Sequence, residues 1–178
     1  MSSRDWSPFR VVPAGAHAEA PRSIQTPEGV ADRLRAAAFA EVQARDAFLW
    51  AAATFTDAPS SLITAWRGLA LAEGRHLEWL LRRLRDLGFS PQDRGVSDQL
   101  WHSLVQCQTA EEFSMYMASA EERGRRAGER FHAQLQERDP ISAEIFRKIA
   151  EEEVEHIRLA ETFFGFRAAD RTGAPPSA

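Results

Sequence analysis

Apolar residues recur along this chain at three- and four-residue spacing in four long runs, and nowhere alternate with the period of two that marks a half-buried strand. The first run opens at Thr26-Pro27-Glu28, where a hydroxyl cap, a proline at the first helical position and an acid in the first turn coincide. It carries Leu34, Ala37, Ala38, Ala44, Phe48, Ala51, Ala52 and Phe55 on one face, together with a single carboxylate, Glu41. Thr56-Asp57-Ala58-Pro59 breaks it, and Ser60 or Ser61 caps a second run that ends at Gly88. The inward face of that run includes Leu62, Trp66, Leu69, Glu73, His76, Leu77, Leu80 and Leu84. A capping box, Thr109-Ala110-Glu111-Glu112, opens the third run, which continues to Arg138 with Met117, Glu121, Gly124, Gly128, Phe131 and Leu135 on one face. Asp139-Pro140 stops it and starts the fourth, where Ile145, Ile149, Glu153, His156, Ala160 and Phe163 share a face before Gly165 ends the helix.

The connections order these runs. Residues 89–108 hold Pro91, Gly95 and a short segment capped by Ser97, a connection long for a compact domain unless it travels the length of a bundle. Four long helices joined short, long, short predict an all-α, ferritin-like four-helix bundle over residues 26–166, with one long crossover between helices two and three. Residues 1–25 carry Pro8, Pro13, Gly15 and Pro21 and read as an extended N-terminal arm. Trp6, Phe9, Val11 and Val12 are apolar enough to hold that arm against the domain, whereas residues 167–178 read as a disordered tail.

Composition narrows the function classes. With 178 residues, 44% of them hydrophobic and 27% charged, the chain suits one globular domain, and its net charge of -4 gives no general pull toward nucleic acid or membrane. No stretch approaches the roughly 20 apolar residues of a membrane span, and the amino terminus lacks the apolar core of a signal peptide. One cysteine, Cys107, makes no intrachain disulfide and builds no Cys-rich zinc, rubredoxin or iron–sulfur site, so a reducing, cytoplasmic location is expected. Every basic residue except Lys148 is arginine, which reads as a coding bias. Arg82-Arg83-Arg85 and Arg123-Arg125-Arg126 accordingly read as solvated helical faces.

The chemistry lies in a repeated Glu-x-x-His, Glu73/His76 and Glu153/His156. Three residues apart on a helix, a carboxylate and an imidazole share one face and can share a metal ion. In an antiparallel hairpin two residues lie level when their mean position falls on the loop. Glu41 and Glu73 centre on position 57, in the Asp57-Ala58-Pro59 break, and Glu121 and Glu153 centre on 137, beside Arg138-Asp139-Pro140. Glu41, Glu73 and His76 each recur 80 residues later as Glu121, Glu153 and His156. Four inward carboxylates without partners make a poor core, each costing several kcal/mol, and two divalent cations neutralise them. The expected ligands are therefore Glu73 and Glu153 as bridges, Glu41 and Glu121 as terminal carboxylates, and His76 and His156 one per metal. Oxygen and imidazole donors suit two iron ions, with manganese or zinc also compatible. Glu122 and Glu129 are further carboxylates on helix three, but Glu122 is rotated about 100° from Glu121 and breaks the 80-residue match.

Gly124 and Gly128 either open a pocket above the metals or pack helices closely, and Arg45 and Arg125 stand one turn beyond Glu41 and Glu121, where they could pair with them, cover the site or be ordinary surface arginines. Tyr116 points off the Glu121 face. His17, His102 and His132 have no partner at ligand spacing and read as surface or capping residues.

From Trp6 to about Gly165 the chain resembles bacterial ferritin-like proteins of undetermined activity whose helix pairs read Glu-x-Arg-His and Glu-x-Arg-Gly. The matching segments are Glu73-Gly74-Arg75-His76, Glu121-Glu122-Arg123-Gly124, Trp50 to Phe55 and Val96-Ser97-Asp98-Gln99-Leu100-Trp101. That family is similar in turn to the non-haem di-iron tRNA hydroxylases that oxidise 2-methylthio-isopentenyl-adenosine. The resemblance implies the same six ligands and supports Glu121 over Glu122. The leading expectation is a di-iron oxidoreductase that activates dioxygen or peroxide, an oxidase or hydroxylase of an unidentified organic substrate, fed by an external electron donor. A ferroxidase or storage protein and a non-redox metal-binding scaffold are the alternatives. Beyond the discounted arginines nothing resembles a tRNA-recognition surface, no membrane partner is expected, and a homodimer is compatible with the sequence.

Overall fold

Among residues 4–13 and 15–167, which the computed structural model describes, there are five α-helices and no strand. They are α1 (Pro27–Thr54), α2 (Ser60–Asp86), α3 (Gln99–Leu104), α4 (Ala110–Leu135) and α5 (Pro140–Phe164). The four long helices stand where the apolar period places them, because local chemistry sets their ends. Gly29 N–H donates to Thr26 Oγ1 at 3.1 Å, and Glu112 N–H to the Thr109 hydroxyl at 3.1 Å. The reciprocal arm of the capping box lands one residue early, since Glu112 Oε2 accepts from Gln108 N–H at 2.8 Å. Asp139 caps α5 by accepting from Ser142 N–H at 3.0 Å. Gly88 and Gly165 take φ of 81° and 68°, the left-handed turn that ends a helix. In the connection over residues 89–108, Asp98 rather than Ser97 occupies the cap of α3, and no side-chain hydrogen bond supports it. The tail expected over 167–178 lies outside the described residues apart from Arg167.

The chain divides into two compact units, one of Met1–Ala53 with Trp66–Gln106, the other of Thr54–Ala65 with Cys107–Ala178. In the first, the arm lies along α1: the Trp6 ring is 5.5 Å from Phe39 and 5.7 Å from Trp101, both edge-on, and Phe9 is 5.0 Å from Phe39. An isolated parallel bridge joins Val11 to Val96, with Val12 N–H on the Val96 carbonyl and Val96 N–H on that of Arg10, both at 2.9 Å. Gly29 is obligatory there, because a Cβ would stand 1.8 Å from the Ser23 carbonyl oxygen.

In the second unit α4 packs on α5. Phe131 meets Phe146 edge-on at 5.1 Å, and Ala118, Ala160 and Phe166 form a further apolar cluster. A Cβ on Gly128 would lie 3.2 Å from the Phe146 carbonyl oxygen and 3.4 Å from Ala150 Cβ, so this glycine permits close helix packing. These pairs centre on positions 137 and 139, inside the loop between the two helices, as an antiparallel hairpin requires. Gly124, by contrast, has nothing within 4 Å of its Cβ position and is exposed. Of the residues assigned inward from periodicity, Ala37, Leu69, Phe131, Ile145 and Phe163 are only half-buried.

Candidate metal centre

Each unit carries one group of two carboxylates and one imidazole. In the first, Glu73 and His76 lie one turn apart on α2 and are completely buried, at 0% exposure each. Glu41, buried on α1, faces them. His76 Nδ1 is 3.5 Å from Glu41 Oε2 and 3.5 Å from Glu73 Oε2. One donor atom from each of the three falls within 4.8 Å of the others. The indole of Trp79, 5.5 Å from the imidazole, packs beside it.

The second unit repeats the arrangement. Glu121 comes from α4, and Glu153 and His156 from successive turns of α5, all three buried. His156 Nδ1 is 3.2 Å from Glu153 Oε2, and the three donor atoms again lie within 4.8 Å of one another. In both groups it is Nδ1 that faces carboxylate oxygen. Such buried Glu/His groups could hold a metal ion.

Glu122 goes elsewhere. It is as buried as its neighbour, at 8% each, but its carboxylate accepts from Arg125 Nε at 2.7 Å and from Arg126 Nε at 2.6 Å. The hydrogen bond from Arg125 outweighs burial and, with Arg126, holds the Glu122 carboxyl below its ordinary range. Glu129 takes the same arginine at 2.5 Å from the solvent side. Of the readings open for Arg125, pairing with Glu121 is thus corrected, as is its counterpart for Arg45, whose Nε binds Asp46 Oδ1 at 2.8 Å. Both guanidinium groups stay partly in solvent and bind carboxylates that are as buried as Glu41 and Glu121. His102 meets Asp98 at 3.2 Å and His132 Nδ1 the Ala143 carbonyl at 3.2 Å, while His17 is exposed.

A second polar cluster, on the arm side of α1, escaped the reading of the sequence. Asp32 accepts from Arg22 Nε at 2.9 Å and Nη2 at 2.8 Å, from the Arg22 backbone N–H at 3.0 Å, and from Arg35 Nη1 at 3.0 Å. Burial pushes the Asp32 carboxyl up, but the hydrogen bonds from Arg22 and the charges of Arg94 and Arg22 outweigh it and bring it down to about 2. An Asp and an Arg three residues apart near a helix start were the available signal, hidden among discounted arginines.

Among the described residues no helix is long and apolar enough to cross a membrane. A family model described as "Protein of unknown function (DUF455)" matches residues 6–178. No curated protein and no solved structure matches the chain.

Proposed function

We propose that this chain, which belongs to the DUF455 family, is a ferritin-like four-helix-bundle protein whose two Glu/Glu/His groups together hold two iron ions and serve oxygen-dependent oxidation of an organic substrate. The observation that carries this reading is the recurrence of one buried trio at an offset of 80 residues, with donor atoms within 4.8 Å of one another each time.

The donor set fits the metal. Two carboxylates and a neutral imidazole balance the charge of one divalent cation per group, and hard oxygen with borderline nitrogen suits iron more than a thiophilic metal. Glu41, Glu73 and His76 would hold one ion, and Glu121, Glu153 and His156 the other. When bound, a pair of ferrous ions supplies the electrons that reduce dioxygen or peroxide and the oxidising power that hydroxylates a substrate. The chain's own part is to fix the carboxylates and imidazoles in a buried, low-dielectric interior and keep bulk water out. Cys107, the single cysteine, builds no rubredoxin-type donor, so electrons come from an external reductase.

Anaerobic loading with ferrous iron, followed by oxygen and an iron count per chain, tests this. Two irons per chain and an oxygen-dependent optical change are expected. A count far above two with mineral formation would replace the oxidase with iron storage, and full iron retention in both Glu121→Ala and His156→Ala would remove the centre itself.

A further inference from the structure

A cavity of about 450 Å³ lies in the first unit between α1, the arm and the connection over residues 89–108. Phe39, Gln43, Ala36 and Asp32 line it from α1, on the side of that helix turned roughly 180° from Glu41 at 100° per residue. It is therefore separate from the Glu/His groups. Phe39, Val96 and Leu100 give it an apolar wall, and Asp32, Arg35 and Arg94 a charged one.

The hydrogen-bonding capacity left over in that charged wall belongs to donors. Both oxygens of Asp32 are taken, by Arg22 and Arg35. Gln43 is spent as well, its Nε2 on the Phe39 carbonyl at 3.1 Å and its Oε1 on Trp101 N–H at 2.9 Å. Arg35 is only 1% exposed. Its Nε donates to the Ser90 carbonyl at 3.0 Å and its Nη1 to Asp32, but its Nη2 makes no hydrogen bond and stands 3.5 Å from Asp93 Oδ2. At the rim, Arg94 Nη1 stands 3.4 Å from Asp32 Oδ2, and its Nη2 donates to the Ala20 carbonyl at 3.0 Å and pairs with Glu19 at 2.7 Å, where the Glu19 side chain is 72% exposed. An ion pair so exposed is weakly held and readily displaced. An incoming carboxylate finds one arginine under a loose lid and another, deeper, with a donor to spare.

We propose that this cavity is a binding site for a small monocarboxylate with an apolar body. Its carboxylate takes the place of Glu19 on Arg94, with Arg35 Nη2 as the deeper donor, and its apolar part lies against Phe39, Val96 and Leu100. The site needs no metal.

Isothermal titration of the full chain with octanoate, in chelator, is the test, with octan-1-ol as the uncharged probe. One octanoate per chain is expected, with octanol about tenfold weaker or worse, the difference made by charge-assisted hydrogen bonds. Glu19→Ala removes the internal competitor and tightens octanoate severalfold. Arg94→Ala weakens it about tenfold. Ala40→Trp, an exposed position on the cavity wall, abolishes binding with the unfolding temperature unchanged. Should Arg94→Ala fail to fold, Glu19→Ala and Ala40→Trp still decide. Equal affinity for octanol, parental affinity in Glu19→Ala and Ala40→Trp, or no saturable octanoate binding would each overturn the site.

Discussion

Glu121 and Glu122 are adjacent, equally buried and chemically identical, yet they point to different partners. A step of 100° around α4 sends one toward Glu153 and His156 and the other to Arg125 and Arg126. Only the first can contribute to a metal. Glu122→Gln is therefore expected to load iron to the parental level and Glu121→Gln to fall short of it, as atomic absorption on anaerobically loaded chains would measure. Asp32 supports a second prediction at this scale. Its folded value of about 2 lies below the ordinary 3.8, so its contribution is complete above about pH 4 and is lost as pH falls through the folded value. Asp32→Asn should cost about 2 kcal/mol at pH 7, and the gap to the parent should close toward pH 2. Denaturant midpoints at the two pH values check this, and a gap of the same size at both would contradict the assignment.

Helix ends were legible in the sequence because the groups that fix them are local. Thr109, Asp139 and Gly165 act on backbone within a few residues of themselves, so Thr109-Ala110-Glu111-Glu112 and Asp139-Pro140 mark boundaries without reference to the rest of the chain. The same locality made Glu-x-x-His legible, since i and i+3 share a face in any helix. Packing is not local, and the two glycines of α4 show it: both fall on the periodic face, but one is exposed with open space around it and the other is pressed against α5. Alanine at Gly124 should stabilise by up to about 1 kcal/mol through helix propensity alone. Alanine at Gly128 brings the same propensity against a carbonyl oxygen at 3.2 Å and should gain less, and Gly128→Val should cost about 1–3 kcal/mol by overpacking. Urea midpoints of the three variants rank them, and a Gly128→Val chain as stable as Gly124→Ala would refute the close-packing role.

Across the whole molecule, the features that stayed hidden join segments far apart in the chain. Arg35 reaches the carbonyl of Ser90, 55 residues on, and Arg4 reaches Asp46, 42 residues on, and no period in either segment announces the other. The Val11–Val96 bridge is equally silent, being one residue pair long. The Glu/Glu/His groups are long-range too, but their internal duplication wrote the distance into the sequence as a fixed offset. That duplication has an energetic consequence for the molecule as a whole. Each group buries two carboxylates that water would solvate in the unfolded chain, and a cation that binds the folded state alone offsets that cost by mass action. At about a thousandfold excess over Kd the gain is about 4 kcal/mol, which for a chain of this length is an unfolding temperature higher by about 8–16 °C. Calorimetry under anaerobic conditions with ferrous iron, or in air with manganese, should show that rise and its reversal by chelator. Glu153→Gln should retain only a fraction of it. If saturating metal leaves the unfolding temperature of the parent where chelator leaves it, the six side chains are not a metal site.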